Sequence, residues 1–257
     1  MIDWTIVALA GFLGGMLNAV AGGGSFITLP ALIWVGVPPI AANTTGTAAL
    51  LPGYLASAWR FRRDIEYPMG LSLWPVIVIA ILGGCIGAIT LLLTSDQLFS
   101  VLIPWLILLS TTAFIVGPKL INMRGFTPDR ATQSDSTQQS FVNAVALLII
   151  CIYGGYFNGG MGIILLAAFG LMGQSNLLGM NGLKNIVSAL LTVIAVMVYA
   201  VGGTIDLAYL LILGVGSVIG GYVGAGVAYR VSQQKLRLFI ITIGCLMAAG
   251  FFLKGSW

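Results

Sequence analysis

The stretch Gly14-Gly15-Met16-Leu17-Asn18-Ala19-Val20-Ala21-Gly22-Gly23-Gly24 returns 140 positions later as Gly154-Gly155-Tyr156-Phe157-Asn158-Gly159-Gly160-Met161-Gly162, each time inside an apolar segment. Glycine clusters that interrupt corresponding hydrophobic segments in two halves of a membrane protein point to a transporter's substrate site. The register extends outward. At the same offset of 140, Leu50-Leu51 meets Leu190-Leu191, Thr44-Thr45 meets Lys184-Asn185, and Asp64-Ile65-Glu66 meets Thr204-Ile205-Asp206. At an offset of 137, Gly84-Cys85-Ile86-Gly87-Ala88 meets Gly221-Tyr222-Val223-Gly224-Ala225, and Ser95-Asp96-Gln97 meets Ser232-Gln233-Gln234. These matches predict two homologous halves, residues 1–118 and 141–257. Between them lies a stretch of Thr, Gln, Ser and Asp, residues 119–140, that cannot build an apolar core and reads as a solvated linker.

Composition identifies the solvent. Of 257 residues, 59% are hydrophobic and 7% charged, and uncharged runs repeatedly reach the roughly 20 residues a helix needs to cross a bilayer. The runs Leu71 to Thr94, Gln97 to Gly117, Gly202 to Tyr229 and Leu236 to Leu253 are too long, and too uniformly apolar, for the alternating ten-residue strands of a barrel. The expected fold is an all-α polytopic membrane protein. Met1 to Thr5 carries Asp3 and no Lys or Arg, so the first segment lacks the positive start of a signal peptide and is expected to remain as a helix. Cys85, Cys151 and Cys245 are far apart in apolar spans, and the chain has no histidine; neither a disulfide framework nor a metal site is implied.

Charge placement sets the relative orientation of the halves, because short loops rich in Lys and Arg stay on the cytoplasmic side. Arg60, Arg62 and Arg63 flank a first-half loop whose counterpart, Gly202 to Asp206, has no basic residue. Conversely, Arg230, Lys235 and Arg237 surround a second-half loop whose counterpart, Ser95 to Gln97, has none. The halves are therefore expected to be inverted. With Lys119, Arg124 and Arg130 holding the linker inside, both chain ends fall outside.

Inversion requires an odd number of segments per half, and five are legible. They are Trp4 to Ala21, Phe26 to Val35, Ala41 to Arg60, Leu71 to Thr94 and Gln97 to Val116, then Phe141 to Phe157, Ile163 to Leu171, Met180 to Val201, Ala208 to Tyr229 and Lys235 to Leu253. The second of each five is too short to cross upright at 1.5 Å per residue. Each half is thus expected to hold three full transmembrane helices and a glycine-broken pair, which can be re-entrant where protein covers its turn.

Of the 11 basic and 7 acidic residues, only Lys184 stands inside an apolar segment. A cation there costs about 2.5–3.5 kcal/mol at the helix centre. No intramembrane carboxylate is available to pair with it, which leaves a bound anion or a lipid headgroup reached by snorkelling. Gly22-Gly23-Gly24-Ser25 ends one helix and begins the next, aiming backbone N–H groups and a positive helix end where an anion would sit. The glycines can equally serve close helix packing, as in Gly83-x-x-x-Gly87 and Gly220-x-x-x-Gly224. Asn43-Thr44-Thr45-x-Thr47 opens a helix after Pro38-Pro39; its four amide or hydroxyl side chains can donate hydrogen bonds to a small anion, or Asn43 or Thr44 can simply cap the helix. The candidate substrate-binding set is Asn18, Gly22, Gly23, Gly24, Ser25, Asn43, Thr44, Thr45, Asn158, Gly159, Gly160, Lys184 and Asn185. Asn181 and Ser188 lie one turn either side of Lys184 on the same helical face.

Gly22-Gly23-Gly24-Ser25 with Pro30, Gly36-x-Pro38-Pro39 and Ala42-Asn43-Thr44-Thr45, together with the inverted repetition, resemble the sulfite exporter TauE/SafE family over nearly the whole chain. The second half departs from an ideal repeat: only Gly162 keeps the place of the triple glycine, Gly170 stands opposite Pro30, and Leu178-Gly179 opposite Pro38-Pro39. The resemblance implies movement of small sulfur-containing anions, such as sulfite or organosulfonates, across the cytoplasmic (inner) membrane. The expected function is a secondary transporter, an exporter working by alternating access. An anion-selective channel lined by the same residues is the alternative. No Gly-Lys-Ser/Thr follows any glycine cluster, so no nucleotide loop is present. No embedded acid-base pair suggests an enzyme. No cofactor and no nucleic-acid partner are expected; the partners are a small anion and the bilayer.

Overall fold

In the computed structural model, the described residues are 2–63, 65, 67–68, 71–123, 136–174, 176–228 and 233–254. Among them every regular element is an α-helix: α1 (Ile2–Ala21), α2 (Ser25–Trp34), α3 (Pro39–Phe61), α4 (Leu73–Leu92), α5 (Asp96–Met123), α6 (Ser136–Tyr156), α7 (Met161–Leu171), α8 (Leu177–Val201), α9 (Leu207–Ala228) and α10 (Gln233–Lys254). The ten expected segments are all present. α5 and α6 run into the polar stretch from either side, and Asp64, Glu66, Arg124, Arg130 and Arg230 lie outside the described residues.

Among the described residues, five helices contain a stretch long and apolar enough to cross a membrane: Leu73–Leu92, Asp96–Ala113, Gln138–Tyr156, Gly179–Val201 and Leu207–Gly224. α2 and α7, at 10 and 11 residues, are far shorter. At 1.5 Å per residue each covers only about half of the hydrocarbon layer. The outer surface suits lipid. Trp4, Trp34, Trp59 and Trp74 are exposed near helix ends, where indole rings favour the boundary between hydrocarbon and water. Arg62 sits 4.1 Å from the ring centroid of Trp59 and donates to the Trp59 carbonyl at 2.6 Å. The chain is a multi-pass membrane protein.

The helices pack in matched pairs. α1 lies along α9 and α6 along α4; α3 packs on α8, α9 on α3 and α4 on α8; α5 meets α10 and α7. Small residues make the long contacts possible, because apolar helices in lipid associate through close packing rather than water exclusion. On α4, Gly83 faces Cys151, and a Cβ at Gly87 would run into the Ile152 backbone. On α9, a Cβ at Gly220 would run into the Phe12 backbone, and Gly224 faces Met16. The two Gly-x-x-x-Gly pairs read from the sequence thus seat α4 on α6 and α9 on α1.

α3 and α8 each carry a fully buried stretch. Residues 42–50 of α3 are buried without a break, as are 182–185 and 187–189 of α8. A helix buried on all sides can hold polar groups only where they find partners or a ligand. Both helices hold several.

Candidate functional site

The two glycine-rich turns set the positions of the other candidate residues. α1 ends at Ala21 and the chain reverses through Gly22, whose φ of +81° is left-handed. Only glycine adopts that conformation without steric cost. α2 then restarts, with Phe26 N–H on the Gly23 carbonyl and Ile27 N–H on the Gly24 carbonyl, both at 3.0 Å. In the second half α6 stops at Tyr156, and the turn holds two left-handed residues, Asn158 at +54° and Gly160 at +70°. Among the described residues Asn158 is the one non-glycine with positive φ, a conformation asparagine tolerates better than most. Asn18, its counterpart in the repeat, is still helical, and its carbonyl accepts the Gly22 N–H at 2.9 Å. The two turns therefore differ by about one helical turn in position.

These turns meet in the interior. A Cβ on Gly22 would lie 2.7 Å from the Gly162 Cα, and one on Gly162 would lie 2.8 Å from the Gly22 Cα. The residues are 140 apart, the offset of the repeat. Gly22 precedes α2 and Gly162 lies in the first turn of α7, so the positive ends of two short helices converge. On α7 the same Gly162 Cβ would stand 3.2 Å from Cδ of Lys184.

Lys184 is fully buried, and among the described buried residues it is the one that carries a charge. Its ammonium donates to Oδ1 of Asn181, one turn earlier on α8, at 3.1 Å. The snorkelling arrangement left open by the sequence requires the ammonium to reach the surface. Full burial beside Gly162 does not provide that.

A second feature ties the two asparagines together. Tyr54, on α3, donates its hydroxyl hydrogen to Oδ1 of Asn158 at 3.3 Å, and the Asn18 side chain stands beside the same hydroxyl. Tyr54 packs with Leu50 against Ala189 of α8, and a Cβ on Gly24 would touch Leu50 at 3.1 Å and Asn18 at 2.9 Å. Asn18, Gly24, Tyr54 and Asn158 are therefore neighbours. Several buried polar atoms have no protein partner: Asn18 Oδ1 on α1, Ser25 Oγ and Thr28 Oγ1 on α2, Thr47 Oγ1 on α3, Asn158 Nδ2 in the second turn, and Asn185 Nδ2, Ser188 Oγ and Thr192 Oγ1 on α8. Leaving one such group dry costs about 1–3 kcal/mol. Four of these eight atoms lie on α3 and α8.

The candidates on α3 are differently placed. Asn43 donates from Nδ2 to the Tyr156 carbonyl at 3.1 Å. Thr44 donates to the Thr204 carbonyl at 2.9 Å, and Thr45 Oγ1 accepts the Asp206 N–H at 2.9 Å. The Asp206 carboxylate in turn caps α9, accepting from Ala208 and Tyr209 N–H at 3.0 and 3.1 Å. Asp96, at the start of α5, accepts the Ile40 N–H at 2.9 Å. These bonds fasten the N-terminal end of α3 to the α4–α5 and α8–α9 loops. Gly159 is bonded through its carbonyl to the Tyr153 hydroxyl at 2.6 Å, which steadies the second turn from α6.

Sequence reasoning passed over Tyr54, Tyr153, Tyr199, Thr28 and Thr192. A signal existed. Asn43, Thr47 and Tyr54 are spaced at i, i+4 and i+11 on one face of α3, and Lys184, Ser188 and Thr192 at i, i+4 and i+8 on α8. A polar stripe on a helix otherwise too apolar to face water is the membrane counterpart of an amphipathic pattern.

The geometry can be set beside known proteins. A sequence profile of the family described as Sulfite exporter TauE/SafE matches residues 7–251. The chain belongs to this TauE/SafE family. It is 25% identical over 262 residues to a "Probable membrane transporter protein" of Haemophilus influenzae, covering 98% of this chain and 95% of the relative. It is 22% identical over 248 residues to "Probable membrane transporter protein YfcA" of Escherichia coli K12, covering 95% and 87%. A third relative, "Probable membrane transporter protein ORF9" from Sinorhizobium, is 21% identical over 241 residues, covering 93% and 88%. The matched region takes in both glycine turns, Tyr54 and Lys184. TauE/SafE membership makes the chain a membrane transporter with a small-molecule substrate, not an enzyme.

Proposed function

We propose that this TauE/SafE protein is a secondary transporter that exports a small sulfur-containing anion, sulfite or an organosulfonate, across the cytoplasmic membrane. The observation that carries the proposal is the contact of Gly22 with Gly162 directly beside buried Lys184. Two positive helix ends and an ammonium converge there with no carboxylate among the described buried residues. Such a site is charge-balanced by an anion. Asn18, Ser25, Asn158 and Asn185 supply neutral polar groups around it, and backbone N–H groups of Gly23, Gly24 and Gly160 complete the cradle. Asn43, Thr44 and Thr45 would meet the anion on its outward path, once their present hydrogen bonds open.

Alternating access would come from two inverted halves, 1–118 and 141–257, rocking about the glycine turns. Matched packing supports this: α1 on α9 answers α6 on α4, and α9 on α3 answers α4 on α8. Contact between residues separated by the repeat offset is what a two-fold axis through Gly22 and Gly162 demands. In this reading each short helix is half of a re-entrant hairpin, the linker is cytoplasmic, and both ends lie outside. An anion channel would need a continuous conduit past Gly22 and Gly162, where backbones are already in contact, and that favours a carrier.

The test is flux of radiolabelled sulfite and of methanesulfonate from proteoliposomes, comparing the native protein with Lys184→Gln. Saturable flux that the substitution abolishes is the expected result. Equal flux by the variant would remove Lys184 from the site, and unitary currents in planar bilayers would replace the carrier with a channel.

A further inference from the structure

We infer that the carried species is a monoanion and that the loaded transporter crosses the membrane with no net charge at its site, so that membrane potential acts on the return of the empty protein. The inference rests on the anion-carrier proposal above and deepens it. It comes from a charge count. Lys184 is the one charged side chain among the described buried residues, and the groups placed beside it are neutral: the Asn181 amide, which accepts from its ammonium, and the Gly162 backbone. Three tyrosines near the turns, Tyr54 and Tyr199 buried and Tyr153 partly so, act as hydrogen-bond donors and so keep their protons. Tyr54 donates to Asn158, Tyr153 to the Gly159 carbonyl and Tyr199 to the Gly155 carbonyl. The neutral atoms left unpartnered, Asn158 Nδ2, Asn185 Nδ2, Ser188 Oγ and Thr192 Oγ1, can hydrogen-bond a ligand but add no charge.

One ammonium therefore cancels one negative charge. A dianion would leave a net charge of −1 to be carried through the low-dielectric region, and an empty site leaves +1. The uncompensated charge slows that step by about a hundredfold, the equilibrium equivalent of placing a lone ionised side chain at the bilayer centre. In the return step the empty, positive site moves inward, and an inside-negative potential favours it. Over a cycle one negative charge leaves the cell, as export of a monoanion requires.

The experiment compares two fluxes of radiolabelled methanesulfonate, which is singly charged at any working pH, from proteoliposomes holding the full chain. In exchange mode, with saturating unlabelled methanesulfonate outside, both crossings are loaded. The rate is then expected to be unchanged by an inside-negative potential of about 100 mV. In net efflux, with none outside, the same potential is expected to raise the rate by up to about fiftyfold. Lys184→Arg, which keeps the charge, is expected to keep exchange insensitive to voltage; Lys184→Gln, which loses it, is expected to make any remaining exchange voltage-sensitive. Sulfate, a dianion, is expected to exchange about a hundredfold more slowly than methanesulfonate. Voltage-sensitive exchange by the native protein, or sulfate exchange at the methanesulfonate rate, would overturn the charge inference while leaving anion transport standing. Absence of saturable flux for both methanesulfonate and sulfite would overturn the anion-carrier proposal and the inference with it.

Discussion

Gly22 and Gly162 stand back to back, each Cα within 2.8 Å of the position a Cβ on the other would take. Neither can accept a methyl group unless backbone moves. Gly162→Ala is expected to destabilise the protein by about 1–3 kcal/mol, the usual cost of overpacking. Because the added methyl also stands 3.2 Å from Lys184 Cδ, flux should fall further than stability does. Gly22→Ala adds the strain of a left-handed φ, about 1–2 kcal/mol. The control is Gly53→Ala in α3, where a Cβ would meet nothing within 4 Å. There the gain in helix propensity, about 0.5–1 kcal/mol, should leave melting temperature equal or higher. Thermal melts in detergent alongside flux separate the three; equal behaviour of Gly162→Ala and Gly53→Ala would contradict the close contact.

Tyr54→Phe keeps the ring that packs on Ala189 and removes the hydroxyl that serves Asn158. The variant leaves the Asn158 amide oxygen without its donor in a buried place, at a cost of about 1–3 kcal/mol. Since Asn158 lies in the turn with a left-handed backbone, loosening it should also lower the apparent affinity for the transported substrate. A lower melting temperature with a raised KM for flux is the expected pair of changes. An unchanged KM would mean that Tyr54 only holds the fold together.

Most of the architecture was legible because lipid imposes it. Runs of about 20 apolar residues must be helices, and all ten segments appear, with ends moved by a few residues where caps such as Pro38 or the glycine turns decide. Lys184 was legible because charge is rare in such segments. What the sequence could not supply is contact between remote turns. The repeat put Gly22 and Gly162 in correspondence, but only packing puts them in touch. The commitments of Thr44 and Thr45 to residues 204 and 206 were likewise hidden, since a hydroxyl near a helix start looks the same whether it caps, ties down a loop or waits for a ligand. Tyr54 was overlooked because a tyrosine in an apolar run counts as hydrophobic until its hydroxyl is given a partner.

Asp206 links the α8–α9 loop to α3 through its N–H and caps α9 through its carboxylate. Asp206→Ala removes the cap and keeps the backbone bond to Thr45. Loss of an N-cap costs about 0.5–2 kcal/mol. The expected outcome is a lower melting temperature with KM for the substrate unchanged. Thr45→Val breaks the other bond, leaving the Asp206 N–H unpaired. If opening of this end accompanies transport, Thr45→Val should raise labelling of a cysteine placed at Thr204 by a membrane-impermeant maleimide, relative to the same cysteine in an otherwise native background. Equal labelling would confine the Thr45 bond to a static role.

Thr192 offers the sharpest separation of stability from transport. Its hydroxyl is buried and has no protein partner, on the face of α8 that also holds Lys184 and Ser188. Replacing such a hydroxyl by a methyl of the same shape removes a desolvation penalty rather than a bond. Thr192→Val should therefore leave the melting temperature unchanged or raise it, by the equivalent of about 1 kcal/mol. A hydroxyl kept at a stability cost is characteristic of a site that must accommodate a polar species. Flux through Thr192→Val should accordingly fall, with a larger loss in the double variant Ser188→Ala/Thr192→Val. A variant that is both more stable and equally active would place Thr192 outside the path, and the polar stripe on α8 would then end at Ser188.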